Sequence, residues 1–152
     1  MMATGTDLKS ISQARLKTAE ILMDAGDWHG AAYMLPYALE CALKAVICKT
    51  LHLTAYPDNE KSESIRAFFT THLLIQLLVV SGLQDVFSPT GAQEPYQHWS
   101  NFTIEFAGNW PQMRYDLKRM QQFDETKVRG LHFMLTDPTH GIITQIEKGG
   151  KW

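Results

Sequence analysis

The 152-residue sequence predicts an all-α protein organised as one domain over residues 1–152. Apolar residues recur at steps of three and four through most of the chain, the period of helices that bury one side. No stretch shows the strict alternation of a half-buried strand. No internal repeat or low-complexity tract breaks the pattern. With 45% apolar and 20% charged residues, the composition is ordinary for a soluble globular fold.

Residues 1–6 are expected to fray. A first helix follows from about Asp7 to Ala25, capped by Thr6 or Asp7 and stopped by Gly26. Asp27 caps a second helix, from about Trp28 to Leu53. It is apolar on most of its circumference, with Leu35, Leu39 and Leu43 on one side and Met34, Ala38 and Cys41 on another. Such a helix packs on more than one face and forms a bundle core or an oligomer seam. Pro36 within it predicts a kink near residues 32–36.

The polar run from Thr54 to Glu63 reads as a loop with a Pro-Asp-Asn turn. Thr71 is the expected cap of a short helix ending at Gly82, and residues 84–95 read as irregular. From Tyr96 to about Ala107, Trp99, Phe102 and Phe106, with Trp110 after them, are spaced three, four and four, which is one helical face. Asn109-Trp110-Pro111 breaks it before a helix from Arg114 to Gln122. Asp124 caps a helix to about Leu135, and Gly141 to Lys148 forms a last short one.

Cys41 and Cys48 share a predicted helix and lie about 10 Å apart along its axis. That is too far for a disulfide, so both read as buried small apolar residues. The longest strongly apolar run, Leu73 to Val80, is too short to cross a bilayer, and no basic-then-apolar leader is visible at the N-terminus. A cytoplasmic location without membrane contact is the expectation. The formal charge of −2 argues against a nucleic-acid coat protein. No Lys or Arg falls between Ala67 and Met113, whereas Arg114, Lys118, Arg119, Lys127 and Arg129 follow within a short span. This modest basic patch can position a few phosphates.

The segment Ala14 to Ala45, ARLKTAEILMDAGDWHGAAYMLPYALECALKA, resembles the opening hairpin of the HEPN family. The matching pattern is a helix ending in Ala25-Gly26-Asp27-Trp28, then Ala31 to Ala45. It continues through Thr71-His72-Leu73-Leu74 and Leu77-Leu78, and Arg114-Tyr115 resembles a later element. The resemblance covers residues 13–80 well. It implies a four- or five-helix up-and-down bundle that dimerises, often with RNA or nucleotide contact at the dimer cleft. It also implies two further options: ribonuclease activity in many members, and partnership with a nucleotidyltransferase-type protein in toxin–antitoxin pairs.

The family's nucleases carry an Arg, four to six residues, then a His. Arg66 and His72 alone meet that spacing, and they are the catalytic candidates. Imidazole supplies an acid or base near neutral pH, and guanidinium a permanent fork for phosphate. In the family the pair usually begins a late helix, whereas His72 occupies the Thr-His element. The bland reading is that His72 starts a helix and Arg66 caps a loop.

Tyr33, Tyr37, Glu40 and Lys44, spaced four, three and four, form one polar stripe on the apolar second helix. Glu40 and Lys44 either serve a ligand or pair with each other. Arg114, Tyr115, Lys118 and Arg119 broadly share a helical face and are the preferred phosphate contacts; a solvated outer face explains them too. The aromatic series from Trp99 to Trp110 reads as core rather than a base-stacking surface. No metal site, cofactor motif or nucleophile context is found. The leading expectation is a non-catalytic dimeric binding module for RNA, a nucleotide or a partner protein. The alternatives are a metal-independent ribonuclease and a helical interaction protein with no nucleic-acid role.

Overall fold

A computed structural model describes residues 3–152; Met1 and Met2 lie outside the described residues. Among the described residues all regular structure is helical: eight α-helices and one 3₁₀ helix. The first is α1 (Gly5–Asp24). Its cap is Thr4, with Asp7 three positions on completing a capping box. Asp7 N–H donates to Thr4 Oγ1 at 3.1 Å and Thr4 N–H donates to Asp7 Oδ2 at 2.9 Å. That reciprocal pair moves the helix start ahead of the expected Thr6 or Asp7. Ala3 also accepts a backbone bond from Tyr56 N–H at 2.8 Å. From Ala3 onward, therefore, the expected frayed segment is tied down.

Gly26, at φ +76°, takes the left-handed turn that ends α1, and Asp27 caps α2 (Trp28–Thr50), as the sequence predicted. The Asp27 side chain accepts from Gly30 N–H at 2.9 Å. The helix runs on through Pro36 and ends three residues short of the expected Leu53. Ala31, Leu35, Ala38, Leu39, Ala42, Leu43, Val46 and Ile47 are all buried, so α2 is enclosed on most sides. It is the axis of the fold, packing against α1 along its length and also against α4 (Leu74–Ser81), α7 (Glu125–Thr136) and α8 (Ile142–Lys148). By length and composition α2 could cross a membrane, but 78% of its most apolar window is buried inside the fold. It is the only single helix among the described residues that could.

A short α3 (Glu63–Phe69), absent from the sequence reading, precedes α4. The two meet at a bend of 100°. At that elbow Thr71 Oγ1 accepts from Leu73 N–H at 3.1 Å, and Leu73 rather than Thr71 is the cap residue of α4. The aromatic series lies on α5 (Gln93–Glu105) and just beyond it. Trp99, Phe102, Phe106 and Trp110 are all buried, as expected of core. Phe106 stacks on Phe123 at 5.8 Å, and Trp99 stacks on Phe87 at 5.4 Å.

The helix expected over Arg114 to Gln122 is instead split into a 3₁₀ helix (Trp110–Tyr115) and α6 (Leu117–Met120). Asp116 divides them: it takes an extended backbone and its side chain caps α6 by accepting from Arg119 N–H at 3.0 Å. Asp124 caps α7 as predicted, accepting from Lys127 N–H at 2.9 Å.

Candidate functional site

The polar stripe of α2 faces the elbow between α3 and α4 and the 3₁₀ helix. Glu40 is only 3% exposed, which for a carboxylate requires partners. It has two. Lys44 Nζ donates to Oε1 at 2.7 Å, the i, i+4 pair that the helix spacing makes easy. His72 Nδ1 lies 3.1 Å from Oε1 and 3.0 Å from Oε2. A carboxylate can only accept, so Nδ1 carries the hydrogen. That leaves Nε2 as the free nitrogen, and 46% of the His72 side chain is exposed.

Lys44 is also covered by the Tyr56 ring, 5.1 Å from its ammonium. Tyr56 donates to the Phe69 carbonyl at 2.7 Å. Burial, then the Glu40 charge, pushes the Tyr56 hydroxyl well above its usual pKa. Burial and Glu40 likewise push the Cys41 thiol up to about 11, so it stays protonated and inert.

Trp110 fills the centre of this face. His72 meets its ring at 6.0 Å, Tyr37 at 6.5 Å and Tyr33 at 5.5 Å, all edge-on. On the far side of Tyr33, Arg114 Nη1 donates to the tyrosine hydroxyl at 3.0 Å. The guanidinium carbon is also 5.9 Å from the Tyr33 ring and 4.8 Å from the Tyr115 ring. Tyr33 first, then Tyr115, raises the Arg114 pKa, so the group is permanently charged. No carboxylate lies within 4 Å of it among the described residues. Glu40 and Lys44 cancel, so Arg114 leaves the face with a positive surplus. Arg15 on α1 adds a buried Nε with no partner, and its charge is felt at Tyr37 and Cys41.

Of the residues singled out from sequence, Glu40, Lys44 and His72 are joined directly, and Arg114 and Tyr115 sit on the same face through Tyr33. Arg66 lies on exposed α3, its Nη1 donating to the Glu60 carbonyl at 3.3 Å, and is not bonded to His72. Arg119 does not share a face with Arg114, because the Asp116 break redirects it to the Glu105 carbonyl. Lys118 is exposed on α6. Trp110, read as core, is buried and at the centre of the site. Nothing in its spacing could have shown this, since its partners Tyr33 and His72 belong to distant parts of the chain. No group of three metal-ligating side chains occurs among the described residues.

An oriented imidazole, a permanent guanidinium and an aromatic wall beside an apolar helical hairpin define a helical-bundle protein with one polar, positively charged face. Residues 6–79 match the HEPN domain family, and this segment of the chain belongs to it. The match spans α1 to α4 and includes Tyr33, Glu40, Lys44 and His72; Trp110 and Arg114 lie beyond it. Comparison with curated proteins and with solved structures gives no match.

Proposed function

We propose that the chain is a HEPN-type binding module that holds RNA or a nucleotide by its phosphate, without catalysis of its own. The observation that carries the reading is Arg114, fixed by the Tyr33 hydroxyl with no carboxylate beside it, on the same aromatic face as the Glu40-oriented His72. Guanidinium and imidazolium N–H groups are the donors a phosphate accepts from. Tyr115 and the exposed Lys118 extend the contact along a strand, whereas Lys127 and Arg129 are paired with Glu105 and Glu125. The working form is a homodimer in the cytoplasm, and a nucleotidyltransferase-type protein is the natural partner for a module of this family. Fluorescence anisotropy with a short single-stranded RNA tests it: binding should be salt-dependent and weaken in Arg114→Ala and in Lys118→Ala. RNA binding that neither substitution alters would end this reading.

A metal-independent ribonuclease is the second reading, favoured by one observation: His72 is set on a buried carboxylate with Nε2 free, as a general acid or base would be. Arg66 would supply the second group, from either protomer of a dimer. Induced expression separates the two. Growth arrest and RNA cleavage that His72→Ala abolishes favour the nuclease; their absence leaves the binding module.

A further inference from the structure

A pocket of about 420 Å³ lies between the start of α1, the end of α2 and the C-terminal residues. Along α2 it is centred on Cys48 and Lys49, about 13 Å of helix rise from Glu40. Its floor is apolar and made of small side chains, Ala45 and Cys48, with Leu53 beside them, and Trp152 forms one wall. Two ammonium groups from different helices line it. Lys9 Nζ sits 5.3 Å from the Trp152 ring centroid, and Lys49 Nζ donates to the Gly150 carbonyl at 2.5 Å.

Neither lysine has a carboxylate within 4 Å among the described residues. Asp7, the acid of the first turn of α1, is committed to the Thr4 amide and hydroxyl. An ammonium carries three donors, so Lys49 keeps two after bonding Gly150, and Lys9 spends none on the indole face. Lys9 is half-buried and Lys49 exposed, so both ammonium groups are open to an anion that enters from solvent. An apolar floor and an indole wall add affinity for a flat hydrocarbon body.

We propose that this pocket binds a small organic anion with a planar apolar body, an aromatic carboxylate or sulfonate, its charge held by Lys9 and Lys49 and its ring against Trp152. The site is independent of the Arg114 face and of whatever that face binds.

Anilinonaphthalene sulfonate, an aromatic anion that fluoresces when bound in an apolar pocket, is the probe. The full chain should bind it at one saturable site from which benzoate displaces it. Lys9→Ala and Lys49→Ala should each weaken binding about tenfold, the effect of losing one charge-assisted contact. Arg114→Ala should leave it unchanged. N-phenylnaphthylamine, which lacks the sulfonate, should bind the unaltered protein at least about tenfold more weakly by the same reasoning. Equal binding of the neutral dye, or lysine variants that fold as judged by circular dichroism and bind unchanged, would overturn the assignment.

Discussion

Glu40 and His72, 32 positions apart in the chain, are locked together, both carboxylate oxygens lying within 3.1 Å of the imidazole Nδ1. The contact ties the core helix to the elbow after α3 and leaves one ring nitrogen facing outward. The same carboxylate neutralises Lys44, so one buried group organises a cation and an imidazole together.

Removing it should therefore be costly. Glu40→Ala leaves a mostly buried lysine uncompensated and is expected to lower unfolding free energy by about 3 kcal/mol. Urea denaturation measures this. The double variant Glu40→Leu, Lys44→Leu should recover most of the loss, because an apolar pair needs no partner. A loss under about 1 kcal/mol in the single variant would mean that the pair is effectively solvated.

Arg114 behaves differently, being exposed and bonded to one tyrosine hydroxyl. Arg114→Ala should leave the urea midpoint essentially where it is in the parent protein. Its effect should appear in RNA affinity, together with a salt slope shallower by about one. Unchanged affinity at all salt concentrations would remove Arg114 from the interface.

His132 on α7 supplies a pH dependence of stability. Burial lowers its pKa below 6.5; Glu20 opposes that shift and Arg129 reinforces it. Because the folded pKa is the lower one, the unfolded chain binds more protons on acidification. This contribution is complete above about pH 6.5 and is lost as pH falls towards the folded value. His132→Phe should shrink the difference in melting temperature between about pH 7.5 and about pH 5.5. An undiminished difference in the variant would assign the acid sensitivity to other groups.

Gly141 caps α8 where a side chain has no room. A Cβ there would stand 2.6 Å from the Leu135 carbonyl oxygen and 2.6 Å from the Asp137 nitrogen. Both are backbone atoms, so relief requires moving the turn between α7 and α8. Gly141→Ala should cost about 1–3 kcal/mol, read as a lower chemical-denaturation midpoint. A midpoint equal to that of the parent protein would show that the turn yields freely.

What could be read in the chain and what could not divide by sequence separation. Asp27 and Asp124 mark helix starts because a cap is made within three residues, and α2 declares its burial through its own apolar spacing. Tyr33, Tyr37, Glu40 and Lys44 align for the same local reason. The helix α3 buries none of its residues and so carries no periodic signal. Asp116 falls inside the helix expected over Arg114 to Gln122, but its extended backbone and its bond from Arg119 N–H make it the cap of α6. The bonds from Glu40 to His72 and from Arg114 to Tyr33 span 32 and 81 positions, beyond the reach of any local pattern.

The dominance of α2 bears on the order in which the molecule assembles. Its most extensive partner is α1, the element just before it in the chain, so the largest interface closes across a three-residue turn. Contacts this local have a low closure cost and form early in folding. The α1–α2 hairpin is thus placed to nucleate the fold, with α4, α7 and α8 condensing onto a surface already formed. Leu39→Ala should then slow refolding as well as destabilise, whereas Ile142→Ala should mainly speed unfolding. The apolar helix at the centre serves as a template for the rest of the chain.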